Sequence, residues 1–227
     1  MGYVVYQINK NTKTMVFYYA MPFAPSNYFV SGEYFGPSAT FLLGVLKPGA
    51  SPKACAIGKY TWIRGARTNN LTLVNSIMGI GIGSGSDYLT YNKKYIYTTY
   101  DASSIAMPST LCMWSLNGKF IRSVTISARG ALTFNRKYIC MYLVSSGIIE
   151  MYHPDTLKRV ETITLNPALS ANSRGLAYDG KYFWIYDNTD KYIYKYDVKG
   201  NQIGGFSLGL SPIFDVTCDN NYLYLMS

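Results

Sequence analysis

Six times along the chain, two apolar positions spaced two apart precede a polar turn, and a tyrosine then opens a second apolar run. The tyrosines are Tyr34, Tyr60, Tyr95, Tyr138, Tyr182 and Tyr222. Six residues before each stand Tyr28, Ala54, Leu89, Leu132, Leu176 and Val216, and four before stand Val30, Ala56, Tyr91, Phe134, Tyr178 and Cys218. Apolar residues two apart line one face of a strand. Asn92-Lys93, Asn135-Arg136, Asp179-Gly180 and Asp219-Asn220 open the turn in four copies, and Asn, Asp and Gly tolerate the positive φ that a tight hairpin loop requires. The run after the tyrosine is β-branched and aromatic, as in Tyr182-Phe183-Trp184-Ile185, which favours a strand. The pattern predicts one hairpin written six times.

A second hairpin follows in the longer copies. The clearest is Tyr192 to Asp197, a turn at Val198-Lys199-Gly200-Asn201, then Gln202 to Phe206. The tyrosines are 26, 35, 43, 44 and 40 residues apart, and the wrap through the termini is 39. Repeats of about 40 residues with four strands each are the length of propeller blades. The last copy ends after two strands, and Tyr3 to Ile8 with Thr14 to Tyr19 supply two more at the other end. Pairing the termini in one blade leaves no open sheet edge there. The expected fold is therefore all-β, a six-bladed β-propeller with one reduced blade, five blades being the alternative. The expected segments are 1–20 with 213–227 as the closing blade, 21–52 as the reduced blade, then 53–85, 86–127, 128–168 and 169–212.

Gly175-Leu176-Ala177-Tyr178-Asp179-Gly180-Lys181-Tyr182-Phe183-Trp184-Ile185, followed by Ile193 to Asp197 and Gly200-Asn201, resembles the repeats of NHL- and YVTN-type β-propellers. The resemblance spans roughly the whole chain and is strongest from Tyr88 to Ser227. It implies an architecture and no particular activity. Gly32 to Ala54 departs from the pattern, being too short for four full strands.

Charged residues make up only 15% of the chain, against about 25% in ordinary soluble domains. Tyrosine, serine, threonine and asparagine fill the surface in their place. The net charge of +9 reads as a solvated surface, or as a surface for an anionic partner such as a membrane, an acidic glycan or nucleic acid. No recognition helix or RNA-binding motif is present, so nucleic acid is not favoured. No signal peptide or membrane span is visible. The tyrosine-rich, charge-poor composition resembles structural proteins of viruses from extreme environments. The expected location is extracellular or a virion surface, with the cytoplasm as the alternative.

Candidate chemistry is sparse. Cys55, Cys112, Cys140 and Cys218 form no C-x-x-C pair, so buried thiols are expected rather than a zinc or redox site. The single histidine, His153, falls in a predicted outer turn. No catalytic residue, metal or cofactor is assigned. Asp87 and Asp215 stand where innermost strands begin, and two carboxylates near one channel could bind a cation or pair with Lys53, Arg129 and Arg174. Loops on a rigid scaffold concentrate function. The expected binding residues are Lys53, Asp87, Arg129, Arg174 and Asp215 at the channel mouth, with Ile105 and Met107 from the loop between Asp101 and Pro108. The expected function is a non-catalytic, structural or adhesive interaction protein binding another protein or a glycan by that face. The alternative is a propeller-type lyase or hydrolase acting on a small molecule at the channel.

Overall fold

The computed structural model describes residues 3–13, 15–21, 28–35, 40–46, 55–61, 72–80, 88–100, 108–144, 146–210 and 212–227. The strands are β1 (Tyr3–Asn9), β2 (Met15–Met21), β3 (Tyr28–Phe35), β4 (Thr40–Leu46), β5 (Cys55–Thr61), β6 (Thr72–Ile80), β7 (Leu89–Tyr91), β8 (Tyr95–Tyr100), β9 (Thr110–Ser115) and β10 (Phe120–Thr125). They continue as β11 (Gly130–Phe134), β12 (Ile139–Leu143), β13 (Ile148–Tyr152), β14 (Arg159–Thr164), β15 (Ser173–Tyr178), β16 (Phe183–Asp187), β17 (Tyr192–Tyr196), β18 (Gln202–Ser207), β19 (Asp215–Cys218) and β20 (Tyr222–Met226).

Among the described residues these strands form five antiparallel four-stranded sheets: β3 to β6, β7 to β10, β11 to β14, β15 to β18, and β19-β20-β1-β2. The first strand of each sheet packs beside that of the next. Contacts run from β3 to β7, β11, β15 and β19, and β19 returns to β3. A closed cycle of innermost strands with sheets radiating outward is the arrangement of a β-propeller. The ring closes as the sequence led us to expect: β1 lies between β20 and β2, with Val5 opposite Met226 and Asn9 opposite Tyr222.

The expected count of six blades is not met. Segments 21–52 and 53–85 contribute their described strands to one sheet. Within it Phe41 pairs with Tyr34 on one side and with Tyr60 on the other. Tyr34 and Tyr60 are thus neighbours across strand β4, not anchors of successive blades. The period-two pattern is the same in every strand of a sheet, so an aromatic late in the first strand imitates one opening the second.

Tyrosine joins the sheets to one another. Tyr97, Tyr142, Tyr186 and Tyr196 are fully buried. Each sends its hydroxyl to another sheet or to a connecting loop: Tyr97 to Pro154 O at 3.0 Å, Tyr196 to Pro167 O at 2.8 Å, and Tyr186 to Leu210 O. Tyr142 Oη and Ser173 Oγ share a hydrogen bond of 2.6 Å. The ring buries apolar area while the hydroxyl satisfies a neighbour's backbone or side chain. Burial pushes the Tyr142 phenol up and that of Tyr186 up to about 12, so both stay neutral at ordinary pH. These four tyrosines thus serve as polar-tipped wedges between sheets and loops. Cys112 and Cys140 are free thiols, and Cys140 is buried.

Candidate functional site

The alternation of strand direction gives the ring two unlike faces. Loops leading into the innermost strands, and those joining second to third strands, share the loop face. Turns joining first to second and third to fourth strands share the opposite turn face.

On the loop face Asp215 heads β19 with only 2% of its surface exposed, and its Oδ1 accepts from Val216 N at 2.9 Å. Arg174 donates from Nη1 to Ala171 O at 3.1 Å and to Ser173 O at 2.8 Å, bracing the loop before β15. Arg129 is exposed immediately before β11. Lys53, Asp87, Ile105 and Met107, with most of the 101–108 loop, lie outside the described residues. Gly175 has φ +70°, and a Cβ there would stand 2.3 Å from Val216 N. Glycine therefore permits β15 and β19 to meet at the channel.

Asp187, which heads a loop of this face but was not singled out as a site residue, is buried at the end of β16. It accepts from Ser170 N at 2.8 Å, Ser170 Oγ at 2.6 Å and Thr189 N at 2.9 Å. Asn188 beside it clamps Ile213, accepting from its N at 2.7 Å and donating to its O at 2.8 Å. The run Asp187-Asn188-Thr189-Asp190 was the available signal, since such residues bond locally to backbone. Glu150 is also buried and was not singled out. It receives Tyr152 Oη at 2.5 Å and Arg159 Nη1 at 2.6 Å. These polar groups hold the fold together.

The turn face is built by a repeated device. In four turns one Asx oxygen accepts from the amides two and three residues further on. Tyr95 N reaches Asn92 Oδ1 at 2.7 Å, Tyr138 N reaches Asn135 Oδ1 at 2.7 Å, Tyr182 N reaches Asp179 Oδ1 at 2.9 Å and Tyr222 N reaches Asp219 Oδ1 at 2.7 Å. The other side-chain atom holds the aromatic two residues past the tyrosine in three of them. Asn92 Nδ2 donates to Tyr97 Oη at 2.8 Å, Trp184 Nε1 donates to Asp179 Oδ2 at 2.8 Å, and Tyr224 Oη donates to Asp219 Oδ2 at 3.0 Å. In three turns the lysine before the tyrosine lies over its ring: Lys94 at 4.8 Å from the Tyr95 centroid, Lys137 at 4.7 Å from Tyr138 and Lys181 at 5.0 Å from Tyr182.

Basic residues that are dispersed along the sequence are gathered by the fold. The turn-face segments 10–13, 92–95, 116–119, 135–138, 153–158, 179–182, 197–201 and 219–222 hold nine lysines, one arginine and four aspartates. Neighbours in space here are distant in sequence, which hides the grouping. His153 lies in one of these turns, as expected, and its Nδ1 accepts from Asp155 N at 3.2 Å.

Asp179 ties this face to ring closure, because Lys10 Nζ sits 3.4 Å from its Oδ2 and donates to Asp219 O at 2.6 Å. Burial pushes the Asp179 carboxyl up, but bonds from Trp184 and the Tyr182 amide, then the Lys10 charge, outweigh it and lower the pKa below 3.8. Asp187 is lowered too, its Ser170 and Thr189 donors overcoming burial. A carboxylate depressed in the folded state stabilises above its unfolded pKa, and the stabilisation is lost as pH falls through the folded value. The melting temperature should therefore hold above about pH 5 and fall steadily below the ordinary aspartate range. Asp179→Asn should lower the plateau and flatten that acid limb, and an acid limb unchanged in the variant would remove Asp179 from the account.

No family model matches the chain, and no curated protein matches it. Solved structures do. A glutaminyl cyclase from Myxococcus xanthus is 10% identical, with 91% of this chain and 93% of that chain aligned at a TM-score of 0.62. A Bacteroides caccae protein of unknown function is 10% identical over 95% and 98%, with a TM-score of 0.64. A chain of a nidogen/laminin complex is 10% identical over 96% and 98%, with a TM-score of 0.59. At such identity the likeness concerns the fold alone, and these comparisons make the chain an all-β propeller.

Proposed function

We propose that this protein is a non-catalytic interaction module that holds its partner against the turn face of the ring. The grouping of exposed lysines beside tyrosine rings carries this reading, since a charged face on a rigid scaffold steers and holds an oppositely charged partner. The loop face is the weaker candidate: Arg174 is spent on its own loop and Asp215 is buried. An NHL- or YVTN-type repeat suits this role, because it supplies a rigid frame that brings turns distant in sequence to one face. The setting we propose is an extracellular or virion assembly, in keeping with the low charge and tyrosine-rich composition, although among the described residues the tyrosines are buried or half-buried and do not fill the surface as the sequence led us to expect. The fold also occurs in an enzyme, the Myxococcus xanthus glutaminyl cyclase, so architecture alone does not choose.

The test compares two sets of substitutions in the native assembly. Lys93→Gln, Lys137→Gln and Lys181→Gln together should abolish partner association while leaving the melt unchanged. Arg129→Ala with Arg174→Ala should leave association intact. The reverse pattern would return the binding site to the loop face.

A further inference from the structure

The outer turns carry a second feature that the lysines alone do not explain. Among the described residues, seven of the eight exposed large hydrophobics stand at the outer turns or the first residues beyond them, on the turn face. Val198, 50% exposed, adjoins Lys199 in the β17–β18 turn. Met15, 53% exposed, follows Lys13 by two residues, and Val160, 47% exposed, follows Lys158 by two. β10 and β14, as outermost strands, are exposed along most of their length, their turn-side residues included, and the one buried residue of β14, Ile163, lies near the other end. Basic and apolar groups thus alternate around the rim of one face.

Resting on the reading of the turn face as the interaction face, we infer that it docks on the surface of an anionic lipid bilayer. Lysine dominates the basic residues here. Its ammonium is a compact point charge suited to a diffuse anionic surface, whereas specific carboxylate or phosphate recognition favours the arginine fork. Aliphatic tips between lysines match a headgroup layer, in which apolar side chains sink to the acyl boundary and lysines stay at the charged level. A sulfated or carboxylated glycan would use the lysines and the tyrosine rings but offers nothing to Met15, Val160 and Val198. A protein partner would call for one contiguous apolar patch rather than single tips spread around the rim.

The experiment is co-sedimentation of the full chain with vesicles of phosphatidylcholine alone and of phosphatidylcholine with phosphatidylserine, at low and physiological salt. Binding should require phosphatidylserine and weaken with salt. Lys13→Gln, Lys158→Gln and Lys199→Gln together should lower the partition coefficient by about tenfold or more. Met15→Gln, Val160→Thr and Val198→Ser together should also weaken vesicle binding, while leaving binding to immobilised heparin unchanged. Circular dichroism melts confirm that both variants are folded. Equal vesicle binding by the apolar variant and the parent, or no binding to phosphatidylserine vesicles at low salt, overturns the lipid inference. If that happens while the lysine variants still lose the native partner, the turn-face reading stands alone. If the lysine variants keep the native partner, that reading falls as well.

Discussion

A chain lacking residues 1–17 should lose its cooperative melt or melt far below the full-length protein, and should aggregate. The deletion removes β1 from between β20 and β2, so β20 is left with the register from Val5–Met226 to Asn9–Tyr222 unpaired. An exposed edge of this kind templates pairing with other chains. The deletion also takes Ile8, which is fully buried in the same core cluster as Trp184, Val216, Leu223 and Leu225. Emptying one such aliphatic site costs about 2–5 kcal/mol, against a total stability of about 5–15 kcal/mol for a typical domain. Lys10 would go too, with its bonds to Asp219 O and Asp179. Differential scanning calorimetry with size-exclusion chromatography reads the outcome. The point variant Ile8→Ala, which keeps the strand, should fall between the parent and the truncation. An unchanged melting temperature in the truncated chain would refute closure through the termini.

Closure was legible because it depends on a count of strands, and strands announce themselves by alternation and turn residues. Val198 to Asn201 and Asn117-Gly118 lie in turns as read, with Gly118 at φ 84° and Gly200 at φ 90°. The blade count failed where one sheet carries two tyrosines in register with Phe41. Nothing local separates a tyrosine in the first strand from one in the second; only pairing across the sheet does. The candidate site was less legible still. Asp215 and Arg174 were found as residues, but burial of Asp215 and the bonding of Arg174 to its own loop follow from tertiary packing. The basic face escaped notice because Lys13, Lys94, Lys137 and Lys181 come from different sheets. A repeat delivers its turns to one side of the ring whatever their separation in sequence, so the charge of each turn had to be summed by face.

Trp184→Ala should be the most damaging single substitution in the interior that leaves the turn-face lysines in place. Trp184, Tyr97 and Tyr224 share one position of the repeat, and each is buried, Trp184 to 3% exposure. Trp184 packs between two sheets with Ala177, Phe206, Val216 and Ile8, its ring 6.3 Å from that of Phe206 at a steep angle. Removing a buried tryptophan costs about 3–5 kcal/mol from cavity and transfer effects together. The loss is compounded because Asp179 Oδ2 gives up the indole N–H bond of 2.8 Å and is left with Lys10 at 3.4 Å. Trp184→Phe separates the two effects, since it retains most of the apolar volume and deletes the donor. It should cost about 1–3 kcal/mol, the penalty for a buried acceptor left short of a bond. The Phe variant should also show a coupling with Asp179→Asn in a double-mutant cycle, because the two groups touch. Chemical denaturation of the parent, the two Trp184 variants, Asp179→Asn and the double variant gives each value. An alanine variant within about 1 kcal/mol of the parent would mean that the tryptophan does not bridge the sheets, and additive effects of Trp184→Phe and Asp179→Asn would mean that the hydrogen bond contributes nothing.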